Sequence, residues 1–278
     1  MARVPGPAAA ACNDPRVNRV LTGDWRELAA GLRPASIDLV YADPPFNTGA
    51  AKRSPPGAQK RGRAATAEYK DTWPDTGAYI AWLRERVAAT LPALRPSGVV
   101  LLHCDWRTSH HVRVMLDALL GEDRFVNHLV WAYGLGGSSP RRFARKHDDI
   151  LSYCVHPAQY YFEPPRVPAT SRRLAGRTKK ATDVLDIPAI NNMAAERTGY
   201  PTQKPLALLR VLVGAFCPPG GTVLDPCCGS GTTLVAADEL GRHAVGFDVS
   251  QVAARIAGAR LDALRHASSA PPLSRRRP

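Results

Sequence analysis

The sequence predicts an α/β fold built on a mostly parallel, doubly wound sheet, and three observations predict it. Short apolar, β-prone runs alternate with amphipathic stretches along most of the chain, the pattern of buried strands joined by crossover helices. Two of these runs, Ile37-Asp38-Leu39-Val40-Tyr41 and Thr222-Val223-Leu224, lead into polar turns, Asp43-Pro44-Pro45-Phe46 and Asp225-Pro226-Cys227-Cys228-Gly229-Ser230-Gly231-Thr232-Thr233. In an open α/β sheet such turns lie at the carboxyl edge, where ligands bind. Between them sits a basic, weakly periodic segment that reads as a smaller inserted module.

The elements follow in order. Arg19-Val20-Leu21-Thr22 reads as a short strand ending in the turn Gly23-Asp24, followed by a brief helix over residues 25–32 and the strand into Asp43. Residues 50–70 form a polar stretch with six basic residues (Lys52, Arg53, Lys60, Arg61, Arg63, Lys70) against one acid, Glu68; a loop of that length inside a domain is commonly functional or disordered. Residues 76–94 place Tyr79, Trp82, Leu83, Arg86, Val87 and Leu91 at helical spacing. Pro96-Ser97-Gly98 stops that helix, and Val99-Val100-Leu101-Leu102 is a buried strand ending at His103-Cys104-Asp105. A helix over 109–120 and strands over 125–133 and 150–155 come next. Periodicity fades from 157 to 199, then returns as a helix over 205–216, the strand into Asp225, a helix from about Thr232, the strand His243-Ala244-Val245-Gly246-Phe247-Asp248, and a last helix over 250–265. The expected organisation is a disordered leader (1–16), a first part of the main domain (17–139), an insert (140–200), a second part (201–267) and a basic tail (268–278).

Bulk properties narrow the function classes. The net charge of +13 over 278 residues and a pI of about 9.9 predict attraction to a polyanion. Residues 140–180 carry ten Lys/Arg against three acids, interleaved with Phe143, Tyr160, Tyr161 and Phe162, which favours a nucleic-acid surface. No apolar run approaches the roughly 20 residues a membrane helix needs, and the start, proline-broken and short in its apolar part, fits a disordered leader better than a signal peptide. The six cysteines (Cys12, Cys104, Cys154, Cys217, Cys227, Cys228) show neither a paired framework nor metal-ligand spacing. Reduced thiols in a cytoplasmic protein, with no metal, fit best.

The late turn suits a nucleoside-containing cofactor. Gly229 and Gly231 allow a tight turn and close approach to a ligand, and Asp248 closes the next strand, where an acid accepts hydrogen bonds from ribose hydroxyls. A dehydrogenase fingerprint would need a third glycine where Leu234 stands, and a P-loop would need a lysine after Gly231. The early turn suits a flat base with an exocyclic amine. That nitrogen's lone pair is delocalised into the ring, so a carboxylate and a proline-fixed carbonyl accepting its two N–H bonds would draw it toward tetrahedral geometry. Pro44 and Pro45 rigidify the turn, and Phe46 offers a face for stacking.

Taken together, these turns resemble the motifs of the β-group S-adenosylmethionine-dependent DNA amino-methyltransferases, in the order adenine-side motif (Gly23-Asp24), catalytic motif (Asp43-Pro44-Pro45-Phe46-Asn47-Thr48-Gly49), recognition insert, Thr202-Gln203-Lys204-Pro205, and the glycine turn. The resemblance spans nearly the whole chain. It implies a circularly permuted Rossmann-like methyltransferase sheet with one antiparallel edge strand and an inserted target-recognition region. It places Asp225, Cys227 (where the family usually has Phe), Gly229, Gly231 and Thr232 around the cofactor's methionine portion, Asp248 on the ribose, Thr202 and Lys204 at the amino-acid end, and Asp24 near the adenine. Asp43, Pro44, Pro45 and Phe46 become the catalytic turn, and Lys52, Arg53, Arg141, Arg142, Arg172, Arg173 and Lys179 the expected DNA contacts.

The implied activity is methyl transfer from S-adenosylmethionine to the amino group of a base flipped from double-stranded DNA. Asp43 in that turn leans toward adenine N6, with cytosine N4 the alternative. A C5-cytosine enzyme is excluded, because Pro226-Cys227 lies in the cofactor turn rather than after the catalytic strand. An RNA methyltransferase would usually show Asn at position 43 and lack the basic insert; a non-catalytic DNA-binding regulator would have no need of Asp43. A homodimer and a cognate restriction endonuclease are the partners such a family suggests.

Overall fold

Along the chain run β1 (Arg19–Thr22), α1 (Trp25–Ala30), β2 (Ile37–Ala42), α2 (Thr76–Thr90), β3 (Leu94–Cys104), α3 (Ser109–Leu120), β4 (Phe125–Ala132), β5 (His147–Cys154), β6 (Arg166–Pro168), β7 (Thr178–Lys180), β8 (Val184–Asp186), α4 (Leu206–Phe216), β9 (Thr222–Asp225), α5 (Thr232–Glu239), β10 (His243–Asp248) and α6 (Gln251–Ser269). The computed structural model describes residues 18–49, 71–134, 138–169, 171–191 and 193–269. The expected leader, the loop 50–70 with Lys52 and Arg53, and the tail beyond residue 269 lie outside the described residues.

Eight strands form one sheet in the order β1-β10-β9-β2-β3-β5-β4-β8, and β6 and β7 make a separate antiparallel pair. From β1 to β3 every pairing is parallel, as the buried apolar runs require. Side chains alternate across the sheet. Leu39, Tyr41, Val99, Leu101 and Val223 pack against α4, α5 and α6, while Val40, Ala42, Val100, Leu102 and Leu224 pack against α1, α2 and α3. Both faces are thus covered, each buried Leu or Val contributing about 1.5–3 kcal/mol relative to exposure. Trp25 Nε1 donates to Thr90 Oγ1 at 2.8 Å, which pins α1 to α2.

The single antiparallel strand of the sheet is β5, and it is not at an edge as expected. It pairs with β3 on one side and β4 on the other, and β8 extends the sheet beyond β4. Composition explains the placement: Ile150 to Cys154 are buried, whereas β4 keeps exposed and half-buried positions suited to the periphery. The expected insert boundary at residue 140 moves for the same reason, since His147–Cys154 belongs to the middle of the main sheet. Residues between β5 and α4 hold the β6–β7 pair and the edge strand β8.

Two other boundaries differ. The helix expected to 94 ends at Thr90, because Pro92 in the following 3₁₀ turn has no N–H to continue it. The next strand begins at Leu94 rather than Val99, and Pro96-Ser97-Gly98 is absorbed by a register shift opposite Ile37 to Leu39.

Candidate active site

Five neighbouring parallel strands end at one edge of the sheet, and each leads into an acid: Asp24 after β1, Asp248 in β10, Asp225 in β9, Asp43 after β2 and Asp105 after β3. All five line a single cavity of about 1020 Å³. From β9 the chain order runs outward to β10, and from β2 it runs outward to β3, so the cleft sits where strand order reverses. Because β5 runs the other way, its first residues reach the same edge, and Asp148 joins the lining.

The glycine turn after β9 is held from both sides. Asp248 accepts Gly229 N–H at 2.9 Å through Oδ2 and Ser250 N–H at 2.8 Å through Oδ1. Burial raises its carboxyl, against those two bonds. Asp225 is fully enclosed; burial pushes it up to about 7, helped by the Asp43 and Asp248 charges and opposed by bonds from Thr233 and the Cys227 N–H. Gly229 has φ of +50°, and a Cβ there would stand 3.0 Å from the Tyr200 ring, so glycine lets the turn and that ring line the cavity together. Asp24 caps α1 by accepting Arg26 N–H and also takes Arg86 Nη2 at 2.6 Å. Burial works to raise its carboxyl, but the Arg86 contact outweighs it and holds it below the usual range.

The Asp43-Pro44-Pro45-Phe46 turn after β2 sits beside a buried polar chain. Lys204 Nζ donates to Asp43 Oδ2 at 2.6 Å and lies 5.3 Å from the Phe46 ring centroid. His103 Nδ1 is 3.9 Å from Asp43 Oδ1 and accepts the Tyr41 hydroxyl at 2.8 Å, which leaves Nε2–H to donate to Asp148 at 3.3 Å. The Tyr133 hydroxyl donates to the other Asp148 oxygen at 3.3 Å. Burial opposes ionisation of Asp148, yet the bond from His103 and the nearby Lys204 charge bring its carboxyl below the normal value. The Phe46 and Trp131 rings flank His103 at 5.6 and 5.8 Å. Lys204 is aimed by its neighbour: Gln203 accepts from the Thr198 N–H and hydroxyl and donates to Glu196 O at 2.7 Å, fixing the turn before α4.

The structure brings together Asp43, Pro44, Pro45 and Phe46 with Asp24, Thr202, Lys204, Asp225, Cys227, Gly229, Thr232 and Asp248 around the one cavity. Gly231 is the exception among the expected cofactor residues. It does not line the cavity but, at φ +78°, faces α6, where an added Cβ would come within 2.7 Å of Ala257 Cβ. Its place is the close approach between the residue that caps the start of α5 and the backbone of α6. Arg141, Arg142, Arg172, Arg173 and Lys179 are exposed and absent from the lining. The thiols of Cys227 and Cys228 are pushed up by burial and then by the Asp225 and Asp248 charges, which makes them poor nucleophiles. The sequence offers Trp131-Ala132-Tyr133-Gly134 as a segment lining the path to the site, and Trp131 and Tyr133 do line the cavity; Tyr41, His103, Asp148, Arg86 and Tyr200 are not legible as site residues, apart from the polar His103-Cys104-Asp105 end of an apolar strand at the ligand edge.

Five acids and a glycine turn around a switch-point cleft define an α/β enzyme that binds a nucleoside-bearing ligand. A family model described as DNA methylase, covering the N6 and N4 amino-methyltransferases, matches residues 37–258. The type II methyltransferase M.ScaI of Streptomyces caespitosus is 27% identical over 87% of this chain and 80% of its own length; M.HpaI of Haemophilus parainfluenzae is 27% identical over 88% and 74%. Among solved structures, the M1.HpyAVI–SAM complex superposes with a TM-score of 0.60 at 20% identity over 88% of this chain and all of that one. The cytosine-N4-specific PvuII DNA methyltransferase gives 0.65 at 15% identity, over 89% of each chain. The chain belongs to the DNA methylase family, the S-adenosylmethionine-dependent enzymes that methylate adenine N6 or cytosine N4. Among the described residues no helix is long and apolar enough to cross a membrane.

Proposed function

We propose that this enzyme methylates adenine N6 in double-stranded DNA at a site read by its basic insert, with Asp43 as the group that engages the target amine. The observation that carries the proposal is that Asp43 and the Asp225–Thr232 turn, far apart in sequence, open onto one cavity. That cavity fits S-adenosylmethionine by its donor set: anionic Asp248 for ribose hydroxyls, Asp225, Thr232 and Thr202 for the amino-acid portion, and Asp24 with Arg86 toward the adenine. When bound, the cofactor supplies an electrophilic methyl group.

The protein's own residues do the rest. The Asp43 carboxylate would accept one N–H of the base amine and the Pro44 carbonyl the other, which frees the nitrogen lone pair to take the methyl group; the S–CH3 bond would break to leave a neutral thioether, and the surplus N–H proton would pass to solvent through Asp43. Phe46 stacks on the flipped base. Lys204 rests on Asp43 and lines the same cavity as Asp225 and Thr202, so it would help hold the cofactor's amino-acid end beside the reacting amine. Arg141, Arg142, Arg172, Arg173 and Lys179 supply phosphate contacts, and residues between β5 and α4 read the sequence. Asp rather than Ser at the head of the catalytic turn favours adenine over cytosine. The type II names of two relatives support a partner restriction endonuclease; light scattering in solution reads the homodimer expected of this group.

Radiolabelled S-adenosylmethionine offered with duplex DNA, RNA and protein tests the activity, and mass spectrometry of the released nucleosides tests the base. N6-methyladenine in DNA is the expected product. N4-methylcytosine would reassign the base, and label in RNA or protein alone would refute the substrate.

A further inference from the structure

The connection between β4 and β5, which leaves and rejoins the sheet at the cavity-lining residues Tyr133 and Asp148, carries an unusual combination of residues. Phe143 is 97% exposed, the most exposed large apolar side chain among the described residues. Arg141, Arg142, Arg145 and Lys146 surround it in sequence. The connection is anchored on the cavity at its base: Tyr133 N–H donates to Lys146 O at 3.0 Å, Lys146 Nζ donates to Gly134 O at 2.9 Å, and the Tyr133 hydroxyl donates to Asp148, both of these last residues lining the cavity. On its outer side the Arg145 guanidinium lies 3.2 Å from the centroid of the Trp106 ring, and the next residue, Arg107, lines the cavity and is paired with Asp105. An apolar ring therefore stands clear of the protein on a cationic loop whose two ends are tied to residues lining the cavity.

We propose that Phe143 is a wedge that enters the DNA stack as the target base leaves it; the inference rests on the base-flipping methyltransferase reading above. A lone ring among four cations is a poor protein-docking patch, since apolar contact surfaces are contiguous and depleted in like charge at their centre. It matches a partner that is anionic outside and apolar within, which is the description of a duplex. Arg141, Arg142, Arg145 and Lys146 hold phosphates on either side, and Phe143 fills the gap the extruded base leaves, replacing lost stacking with a new aromatic contact. Trp106, 38% exposed under Arg145, keeps that arginine's plane fixed against the rim.

The test uses full-length enzyme and an oligonucleotide duplex carrying the parent's own methylated site, mapped by sequencing treated DNA. F143A and F143W are compared with the parent on the paired duplex and on the same duplex with an abasic position opposite the target, where the base is already loosened. F143A is expected to lose roughly tenfold or more in methylation rate on the paired duplex, to recover to within about twofold of the parent on the abasic duplex, and to keep the parent's melting temperature and cofactor affinity. F143W is expected to stay near the parent on both. A parental rate for F143A on paired DNA would overturn the wedge, and so would an equal loss on both duplexes, which would make Phe143 a general contact. A parent that labels neither duplex overturns the activity itself, and the wedge with it.

Discussion

Asp225→Asn tests the electrostatics of the cleft most directly. Burial holds the Asp225 carboxyl near 7 in the folded protein, against 3.8 when it is free. A tenfold change in a protonation equilibrium corresponds to about 1.4 kcal/mol, so ionising this group costs the fold roughly 4 kcal/mol. Because the folded value is raised, the native state keeps a proton the unfolded chain has released. The stabilisation is complete below 3.8, drains away as pH rises, and is gone above about 7. Between about pH 5 and about pH 8 this one residue removes roughly 2.5 kcal/mol of stability. Asparagine keeps the shape and the carbonyl that accepts the Cys227 N–H at 3.1 Å, but it has no charge to bury. Urea denaturation at both pH values should show the variant gaining on the parent by that amount as pH rises. Calorimetry at the higher pH should show weaker cofactor binding, because the cationic amino-acid end loses its anionic partner. A stability difference that stays constant across this pH range would refute the reasoning.

Further expectations follow from other parts of the site. Asp43→Ala should lower methyl transfer by about a hundredfold or more while leaving cofactor affinity measurable; single-turnover rates with labelled cofactor read the effect. Gly231→Ala should destabilise the protein by roughly 2–4 kcal/mol, through a strained left-handed residue and a clash with Ala257, and the residual folded enzyme should bind cofactor as the parent does. Asp248→Ala removes an acceptor of two backbone N–H bonds, so both melting temperature and cofactor affinity should fall, each charge-assisted bond being worth about 1.5–3 kcal/mol. Neutralising Arg172, Arg173 and Lys179 should flatten the salt dependence of DNA binding by up to about 0.9 per charge removed, with fluorescence anisotropy at several salt concentrations as the readout.

The two turns were legible in the sequence because their chemistry is local. Prolines after an aspartate, or glycines before a helix, mean something wherever they occur, and the strands feeding them fix which edge they reach. What was not legible depends on pairing. His103 and Asp148 come from two different strands, and only the antiparallel course of β5 brings Asp148 to the carboxyl ends of its neighbours. Arg86 lies on the cavity side of a helix whose periodicity marked it as one of a buried face, and only its meeting with Asp24 reveals a polar role. Gly231 shows the opposite failure. Its residue type suggested a ligand, while its neighbour is Ala257, a helix that sequence spacing could not place. The β5 position was missed for a related reason, since an apolar strand is equally readable at the rim of a sheet or in its middle.

The pairing of Leu39 with Val223, and of Arg19 with Val245, has a consequence for how the enzyme comes into being. The first of the described strands waits at the sheet's border for the last of them, and the seam beneath the cleft cannot close until β9 has emerged from the ribosome. A truncated or half-synthesised chain would hold its aspartate and prolines with nothing opposite them. Such distant partners slow assembly, because the entropy of closing a long loop comes before the contacts that reward it.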